Sequence, residues 1–244
     1  MTRVKICGLR DAAMAVEVAT AGADFIGLMF AESKRRVTPQ ECHDITEAVR
    51  ELRREKTSAA FDGPRRGEVS GRTWFSAWNE ALDDGVARFR PLLVGVFADQ
   101  PVEDVNGIAE AAGLDLVQLS GGEDDDFAAR ISLPVIRVIH VAEGAKPDDI
   151  LDRATPGTSV GILLDTAVKG ARGGSGIAFD WTVAAEAAER LPFMLAGGLT
   201  PENVADAVAQ VRPWAVDVSS GVETDGVKDI DKVRAFVRAV KGVR

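Results

Sequence analysis

The fold is decided by residues 92–120, LLVGVFADQPVEDVNGIAEAAGLDLVQLS, in which two short apolar runs flank a helical pattern. The runs at 92–97 and 114–120 have the length and the Val and Leu content of buried strands. Between them, PVEDVNGIAEAAG places apolar residues near the 3.6-residue spacing of an amphipathic helix. A strand, a helix and a second strand in succession predict a parallel pair of strands joined by a helical crossover.

The same unit recurs along the chain. Further strands are predicted at about 4–9, 24–30, 134–141, 159–166, 193–199 and 215–221. Thr38-Pro39 and Thr200-Pro201 each supply a Thr cap with Pro at the first helical position. Eight units predict one α/β domain, 1–244, folded as a closed parallel (β/α)8 TIM barrel. An open doubly wound sheet is the alternative, but CGLRDA after the first strand lacks the GxGxxG fingerprint.

Residues 54–90 form a 37-residue insert between the second helix and the third strand. Its first half is rich in Gly, Pro, Ser and Arg, which is typical of a mobile loop. Its second half is a candidate helix whose large apolar residues share one face: Trp74, Phe75, Trp78 and Leu82. Because the insert leads from a helix into a strand, we expect it at the end of the barrel opposite the active site. We interpret it as packing its aromatic residues on the barrel; the alternative is a partner-binding device.

The composition limits the function classes. Of 244 residues, 46% are hydrophobic, and 29 basic against 38 acidic side chains give a net charge of −9. Such a surface repels nucleic acid and anionic lipid, so we expect neither as a partner. No apolar run reaches the roughly 18–20 residues that span a bilayer, and MTRVKICGLR lacks the apolar region of a signal peptide. Since neither Cys7 nor Cys42 has metal-ligand spacing, we expect no metal site and a reducing, cytoplasmic compartment.

Polar residues follow several of the predicted strands. In a barrel, catalytic groups come from the carboxyl ends of the strands and from the loops that follow them. The candidates at these positions are Cys7, Arg35, Arg36, Ser120, His140, Asp165, Gly197, Gly198, Ser219, Ser220 and Gly221. For His140 the sequence leaves ligand contact open and favours a surface or core role.

Cys7 is a candidate general base, although a lone cysteine can also be a small core residue. Lys5 lies two positions earlier on the same strand, so the two side chains point the same way. A nearby ammonium favours thiolate over thiol. Asp217 lies in the last strand, which neighbours the first in a closed barrel, and we predict that it pairs with Lys5 inside the barrel.

Asp165 ends the apolar run GILLDT and is a candidate general acid. A carboxyl group partly removed from water has a raised pKa and can donate a proton near neutral pH. The alternative is a helix cap or a carboxylate that orders a loop. The stretch GARGGSG at 170–176 follows Asp165 and is interpreted as a flexible active-site loop.

Two glycine-rich stretches, LAGGLTPEN and VSSGVET, end the seventh and eighth predicted strands. In many barrels this pair of loops holds a phosphate. Glycines let backbone amides approach an anion closely, and serine hydroxyls add donors. We therefore predict a phosphate site formed by Gly197, Gly198, Ser219, Ser220 and Gly221.

A set of motifs occurs in a characteristic order. They are KICGL, SKRRV, VGVF, VQLSG, LLDT followed by GGSGIAFDW, LAGGLTPENV and AVDVSSGVE. Together they resemble the phosphoribosylanthranilate isomerase family of tryptophan biosynthesis, over nearly the whole chain apart from 54–90. The resemblance implies an Amadori rearrangement that converts N-(5-phosphoribosyl)anthranilate into 1-(2-carboxyphenylamino)-1-deoxyribulose 5-phosphate. It also implies that no cofactor or metal is used.

The resemblance also assigns roles to single residues. It implies that Cys7 is the general base and Asp165 the general acid. The Arg of the family's Ser-x-Arg motif falls on Arg35, with Arg36 as a neighbour that could confuse the assignment. The phosphate is expected at the two glycine-rich loops. Ser120 stands where family members often have His, in VQLHG, so we expect altered substrate binding without loss of the chemistry.

Three other functions are weighed against this one. The histidine-pathway isomerase performs the same rearrangement on a different aminoaldose but uses carboxylates at both catalytic positions, and Cys7 argues against it. A non-catalytic barrel acting as a binding or regulatory subunit is opposed by the intact acid, base and phosphate loops. Fusion to a neighbouring pathway enzyme is a third possibility, but the length leaves room for the barrel alone. We expect a monomer or a homodimer.

Overall fold

A closed barrel of eight parallel strands forms the centre of the protein. The structure is a computed structural model that describes residues 1–55, 59–69, 71–166 and 181–243. In chain order the strands are β1 Arg3–Cys7, β2 Phe25–Met29, β3 Leu92–Phe97, β4 Leu116–Leu119, β5 Val135–Val141, β6 Gly161–Thr166, β7 Met194–Leu195 and β8 Ala215–Val218. Each strand pairs with the next, and β8 pairs with β1 to close the sheet. The expected (β/α)8 TIM-barrel fold is confirmed.

Helices alternate with these strands. They are α1 Ala12–Thr20, α2 Pro39–Arg50, α3 Arg72–Phe89, α4 Val102–Ala111, α5 Asp125–Ala128, α6 Pro147–Leu151, α7 Trp181–Ala188, α8 Val204–Val211 and α9 Ile230–Gly242. After β8 the chain also forms a two-stranded hairpin of β9 Glu223–Thr224 and β10 Val227–Lys228. Within the described residues, no helix is both long and apolar enough to cross a membrane.

The helix starts predicted from Thr-Pro pairs have different outcomes. Thr38 caps α2 as expected: its hydroxyl accepts the Glu41 N–H, and the Glu41 carboxylate accepts the Thr38 N–H in return. At the other pair, the Thr200 hydroxyl accepts the Glu202 N–H at 3.3 Å as a cap would, but α8 begins later than predicted, at Val204. There the side chain of Asn203 accepts the Thr200 N–H and closes a turn before the helix starts.

Every predicted strand is present, but most are shorter than the apolar run that predicts them. The largest difference is in β7, predicted at 193–199 and observed at Met194–Leu195. Gly197 and Gly198 have φ angles of 87° and 67°, which lie in the left-handed region. This conformation turns the chain out of the sheet, so that the glycines lie in the loop after β7.

The barrel strands alternate between two apolar clusters, as the two-residue period of a strand requires. All six residues of β3 are buried. Leu92 and Val94 point into the barrel, where they pack with residues of the other strands. Leu93, between them, belongs to the layer of side chains shared with the helices. Both faces of the sheet are therefore covered, which explains why the strands are nearly continuous apolar runs.

Helix α3, from the insert, closes the amino-terminal end of the barrel. Leu82 belongs to the apolar cluster inside the barrel, together with Val86 and Phe89. The Trp74 indole donates to the Ser159 carbonyl, 2.6 Å away and just before β6. The predicted helix, the packing of its aromatic residues on the barrel and its place at the end opposite the carboxyl ends of the strands are confirmed. The expected mobility of the insert concerns in part residues 56–58 and 70, which lie outside the described residues.

Candidate active site

A cavity of about 480 Å³ opens at the carboxyl-terminal end of the barrel. Its lining includes residues from the end of every barrel strand or from the loop that follows it. The eight residues that the sequence predicts as catalytic or substrate-binding all line this cavity: Cys7, Arg35, Asp165, Gly197, Gly198, Ser219, Ser220 and Gly221. The fold thus brings together residues that are far apart in the sequence, since Cys7 and Gly221 are separated by 214 positions. The role of each residue depends on its contacts and its charge.

The two neighbouring arginines point to different places. Arg35 lines the cavity, whereas Arg36 lines a separate surface groove together with Val37 and Thr38. The Arg36 backbone forms an isolated bridge with Met29 at the end of β2. The ambiguity in SKRRV is therefore removed: Arg35 is the arginine that can reach a ligand in the cavity.

Cys7 is a buried free thiol at the end of β1, with 4% of its surface exposed. Its register partner on β2 is Gly27, where a Cβ atom would lie only 2.7 Å from the Cys7 Sγ. A side chain at position 27 would therefore displace the thiol.

The predicted pairing of Lys5 with Asp217 is confirmed, since the two residues are register partners and the Lys5 Nζ donates to Asp217 Oδ1 at 2.8 Å.

The acidity of Cys7 differs from the expectation. Burial raises the pKa of the Cys7 thiol above its ordinary value. The ammonium groups of Lys5 and Lys228 lower this pKa, while Asp217 raises it. Lys5 thus lowers the pKa of Cys7, as expected. The net pKa is nevertheless raised, because desolvation is the larger effect and Asp217 offsets the Lys5 charge. The resting group near neutral pH is the thiol.

This pKa predicts the pH dependence of the reactivity of Cys7. Iodoacetamide alkylates the thiolate, so the alkylation rate rises with pH until the pH passes the Cys7 pKa. Since that pKa is raised, the rise continues beyond the pH at which an ordinary cysteine is fully ionised. The test is the rate of Cys7 alkylation from about pH 6 to about pH 10. An alkylation rate that already levels off where an ordinary cysteine is ionised contradicts the raised pKa.

The loops after β7 and β8 meet closely at the cavity. A Cβ atom on Gly221 would lie 1.9 Å from the Leu199 carbonyl oxygen, so only glycine allows this contact. The Ser219 hydroxyl is buried, and no hydrogen-bond partner for it occurs among the described residues. A buried donor next to two glycine-rich turns is the arrangement expected of a site that holds an oxyanion.

Two charged residues of the site are missing from the sequence-based prediction. Glu223 accepts from Arg35 Nε at 2.6 Å and from Arg35 Nη2 at 2.8 Å. Lys228 Nζ donates to the same Glu223 carboxylate at 2.6 Å and to the Ser219 carbonyl at 3.0 Å. Burial alone would raise the pKa of Glu223, but the hydrogen bonds from Arg35 and Lys228 lower it to about 2. Glu223 is therefore ionised at any working pH.

The wall formed by β4 and β5 is polar. Gln118 Nε2 donates to the Ser120 hydroxyl at 3.0 Å, and the His140 Nε2 lies 3.1 Å from the Ser120 carbonyl oxygen. All three residues line the cavity. His140 thus lies in the cavity wall, and its contact with a ligand, which the sequence leaves open, stays a prediction. Ser120 lies in the cavity wall, at the position where a family histidine is expected.

Asp165 lines the same cavity as Cys7. It lies near the end of β6, where its register partner on β5 is His140. The glycine-rich stretch 170–176, interpreted as an active-site loop, lies outside the described residues. In the part of the chain that the structure describes, no group of three His, Cys, Asp or Glu side chains could hold a metal ion.

The cavity combines a thiol, a carboxyl group, an arginine and two glycine-rich loops, and comparison with known proteins identifies the family of the chain. A model of the N-(5'-phosphoribosyl)anthranilate (PRA) isomerase family matches residues 56–239. The chain belongs to the phosphoribosylanthranilate isomerase family. An N-(5'-phosphoribosyl)anthranilate isomerase from Dehalococcoides mccartyi is 40% identical over 247 residues, covering 99% of this chain and 96% of the relative.

Solved structures of the phosphoribosylanthranilate isomerase family have the same fold. One is a monomeric form of the dimeric isomerase from Thermotoga maritima, 30% identical, with a TM-score of 0.72 and coverage of 99% of this chain and 100% of that chain. Another is an isomerase in complex with reduced 1-(o-carboxyphenylamino)-1-deoxyribulose 5-phosphate. It is also 30% identical, with a TM-score of 0.70 and the same coverage of both chains.

Proposed function

We propose that the cavity catalyses the Amadori rearrangement of N-(5-phosphoribosyl)anthranilate to 1-(2-carboxyphenylamino)-1-deoxyribulose 5-phosphate, a step of tryptophan biosynthesis. Asp165 is the general acid and Cys7 the general base. The observation that carries the proposal is that both residues line one cavity in a member of the phosphoribosylanthranilate isomerase family. An acid and a base on one substrate are what the conversion of an aminoaldose to an aminoketose requires.

The reaction divides into two proton transfers. Asp165 protonates the furanose ring oxygen, the C1′–O bond breaks, and the nitrogen lone pair forms the C=N bond of a Schiff base. The Cys7 thiolate then removes the C2′ proton, which gives an enolamine that tautomerises to the ketone. A well-placed acid or base contributes roughly 100-fold to 10,000-fold to the rate.

Substrate binding is assigned to the charged and glycine-rich parts of the cavity. The phosphate binds at the loops that contain Gly197, Gly198, Ser219, Ser220 and Gly221, where the unpartnered Ser219 hydroxyl is one donor. Arg35 holds the anthranilate carboxylate, because a guanidinium matches the planar carboxylate group. With the phosphate and the carboxylate held, the pentose lies between Cys7 and Asp165.

The charges around Cys7 support its role as a base that is active as thiolate. Lys5 and Asp217 form an ion pair with no net charge. Lys228 adds a further positive charge whose electrostatic effect lowers the pKa of Cys7. These cations offset part of the cost of ionising a thiol that is out of contact with water.

The activity is tested with purified protein. We expect time-dependent loss of the substrate's anthranilate-type fluorescence, and rescue of a tryptophan auxotroph by the expressed chain. The matched comparison is the aminoaldose of histidine biosynthesis, which we expect to react much more slowly because Cys7 replaces a carboxylate. Turnover of the histidine-pathway substrate alone, or a well-expressed protein that rescues no auxotroph, contradicts the proposal.

Compartment and assembly complete the proposal. Both cysteines are free and buried, which suits a reducing compartment such as the cytoplasm. The Thermotoga maritima relative is described as a dimeric enzyme. For this chain we propose a monomer or a homodimer, and sedimentation or light scattering distinguishes the two.

A further inference from the structure

Glu223 is a buried carboxylate that lies between two cations of the active site. Its side chain is 6% exposed and that of Lys228 is 4% exposed. Arg35 Nε and Lys228 Nζ are each 2.6 Å from the same oxygen, Glu223 Oε1. Without the carboxylate, these two neighbouring cations would repel each other in a region shielded from water. Glu223 therefore holds Arg35 at a position that its charge alone would not favour.

The contact uses only one edge of the Arg35 guanidinium. Nε and Nη2 bind the two oxygens of Glu223 as a fork. For Nη1, the described part of the chain offers no hydrogen-bond partner, although Arg35 lines the cavity. A guanidinium carries five N–H donors in a fixed plane, so the edge formed by Nη1 and Nη2 remains for a second planar anion.

We propose that Glu223 is a positioning residue, which fixes Arg35 so that its free edge binds the carboxylate of the substrate. The Glu223 carboxylate also links this arginine to the phosphate loop, because Lys228 donates both to Glu223 and to the Ser219 carbonyl. The inference rests on the proposed role of Arg35 in the isomerase reaction. It goes further by assigning a function to a residue that need not touch the substrate.

The variant Glu223→Gln removes this function in two ways, because it abolishes the negative charge between the two cations and also one arm of the fork. Its amide oxygen can replace Oε1 and keep the hydrogen bonds from Lys228 and Arg35 Nε. Its amide NH2 then replaces Oε2 and faces Arg35 Nη2, so that a donor opposes a donor and the fork is lost. The connection to Ser219 through Lys228 is retained.

The experiment compares two inhibitors. One is reduced 1-(o-carboxyphenylamino)-1-deoxyribulose 5-phosphate, called the reduced product, and the other is the same compound without the ring carboxyl group. We expect Glu223→Gln to weaken binding of the carboxylated inhibitor by about tenfold or more, the size expected for a lost hydrogen bond to a charged group. Binding of the compound without the carboxyl group changes little. For the substrate, KM rises by a similar factor while kcat changes much less, as for loss of uniform binding.

A matched control is present in the same chain. Arg88 and Glu55 form an exposed pair with the same fork, Nε to Oε1 and Nη2 to Oε2, both at 3.0 Å. Glu55→Gln therefore makes the same chemical change outside the cavity, and we expect no effect on either inhibitor. If Glu223→Gln does not fold, Arg35→Lys serves as the second variant, because lysine keeps the charge but cannot present two edges.

The double variant separates the possible outcomes. If Glu223 acts through Arg35, adding Glu223→Gln to Arg35→Ala causes no further loss of the carboxylated inhibitor. If Arg35→Ala itself leaves that inhibitor unaffected, the proposed role of Arg35 is wrong. If Arg35→Ala weakens binding but neither Glu223→Gln nor Arg35→Lys does, the positioning role alone is overturned. Equal weakening of both inhibitors by Glu223→Gln also overturns it, since the effect then does not depend on the carboxylate.

Discussion

Replacement of Asp165 by Asn lowers kcat by at least about 100-fold, because the amide cannot transfer a proton to the ring oxygen of the sugar. Ring opening is the first bond-breaking step of the proposed reaction, and Asp165 is the carboxyl group assigned to it. Asparagine is close to aspartate in size and keeps polar atoms at the same positions. The substitution therefore removes the proton donor with little change in the shape of the cavity, and substrate affinity should fall much less than kcat.

The measurement is steady-state turnover of Asp165→Asn together with the dissociation constant of the reduced product. Asp126→Asn is a matched control, since Asp126 is exposed on α5 and does not line the cavity. We expect this control to have wild-type kinetics. Near-normal kcat for folded Asp165→Asn removes the residue from the mechanism and leaves it the role of a cap or a loop-ordering carboxylate.

Replacement of Cys7 by Ala also lowers kcat by at least about 100-fold, because no base is then left to remove the C2′ proton. The thiol is buried against Gly27, and the substitution removes only the sulfur from a tightly packed position. Cys7→Ser provides a second comparison. It keeps a polar atom of similar size, but a hydroxyl is a much weaker acid than a thiol, so activity should not be restored.

Cys42→Ala is the control for Cys7→Ala. Cys42 is equally buried, but it lies in the apolar layer on α2, and burial raises its pKa to about 12. We expect this variant to lose some stability and to keep its kcat. If Cys7→Ala turns over like the wild type, another group is the base.

Much of the site follows from the sequence because the barrel has simple rules. Once eight strand–helix units are recognised, the residues at the strand ends must share one opening. The Lys5–Asp217 pair follows in the same way, because the first and last strands are neighbours in a closed sheet. These predictions depend on strand register and topology, and they require no knowledge of side-chain packing.

Other features depend on contacts that no local pattern specifies. The acidity of Cys7 is a balance between burial and three charged groups, and the sign of that balance requires their positions. Helix α3 has an apolar face in the sequence, but the spacing does not indicate that this face closes the barrel. The cavity position of His140 depends on which way its strand faces.

The connection between Glu223 and Lys228 does have a signal in the sequence. Asp225-Gly226 is a dipeptide typical of a two-residue hairpin turn. Both residues have positive φ, 52° and 79°, as such a turn requires. The hairpin pairs Glu223 with Lys228 in register, so this motif predicts the two charges side by side. It does not predict their contact with Arg35, which comes from 188 positions away.

A crystal structure of this chain with the reduced product tests the central claim, that Cys7 and Asp165 act on the same pentose. We expect the Cys7 Sγ next to C2′. A carboxylate oxygen of Asp165 should lie about 2.6–3.2 Å from the oxygen that closes the furanose ring in the substrate. The proposed acid–base mechanism is wrong if the pentose contacts only one of these two residues. It is also wrong if Cys7 lies far from C2′ and Asp165 lies far from the ring oxygen.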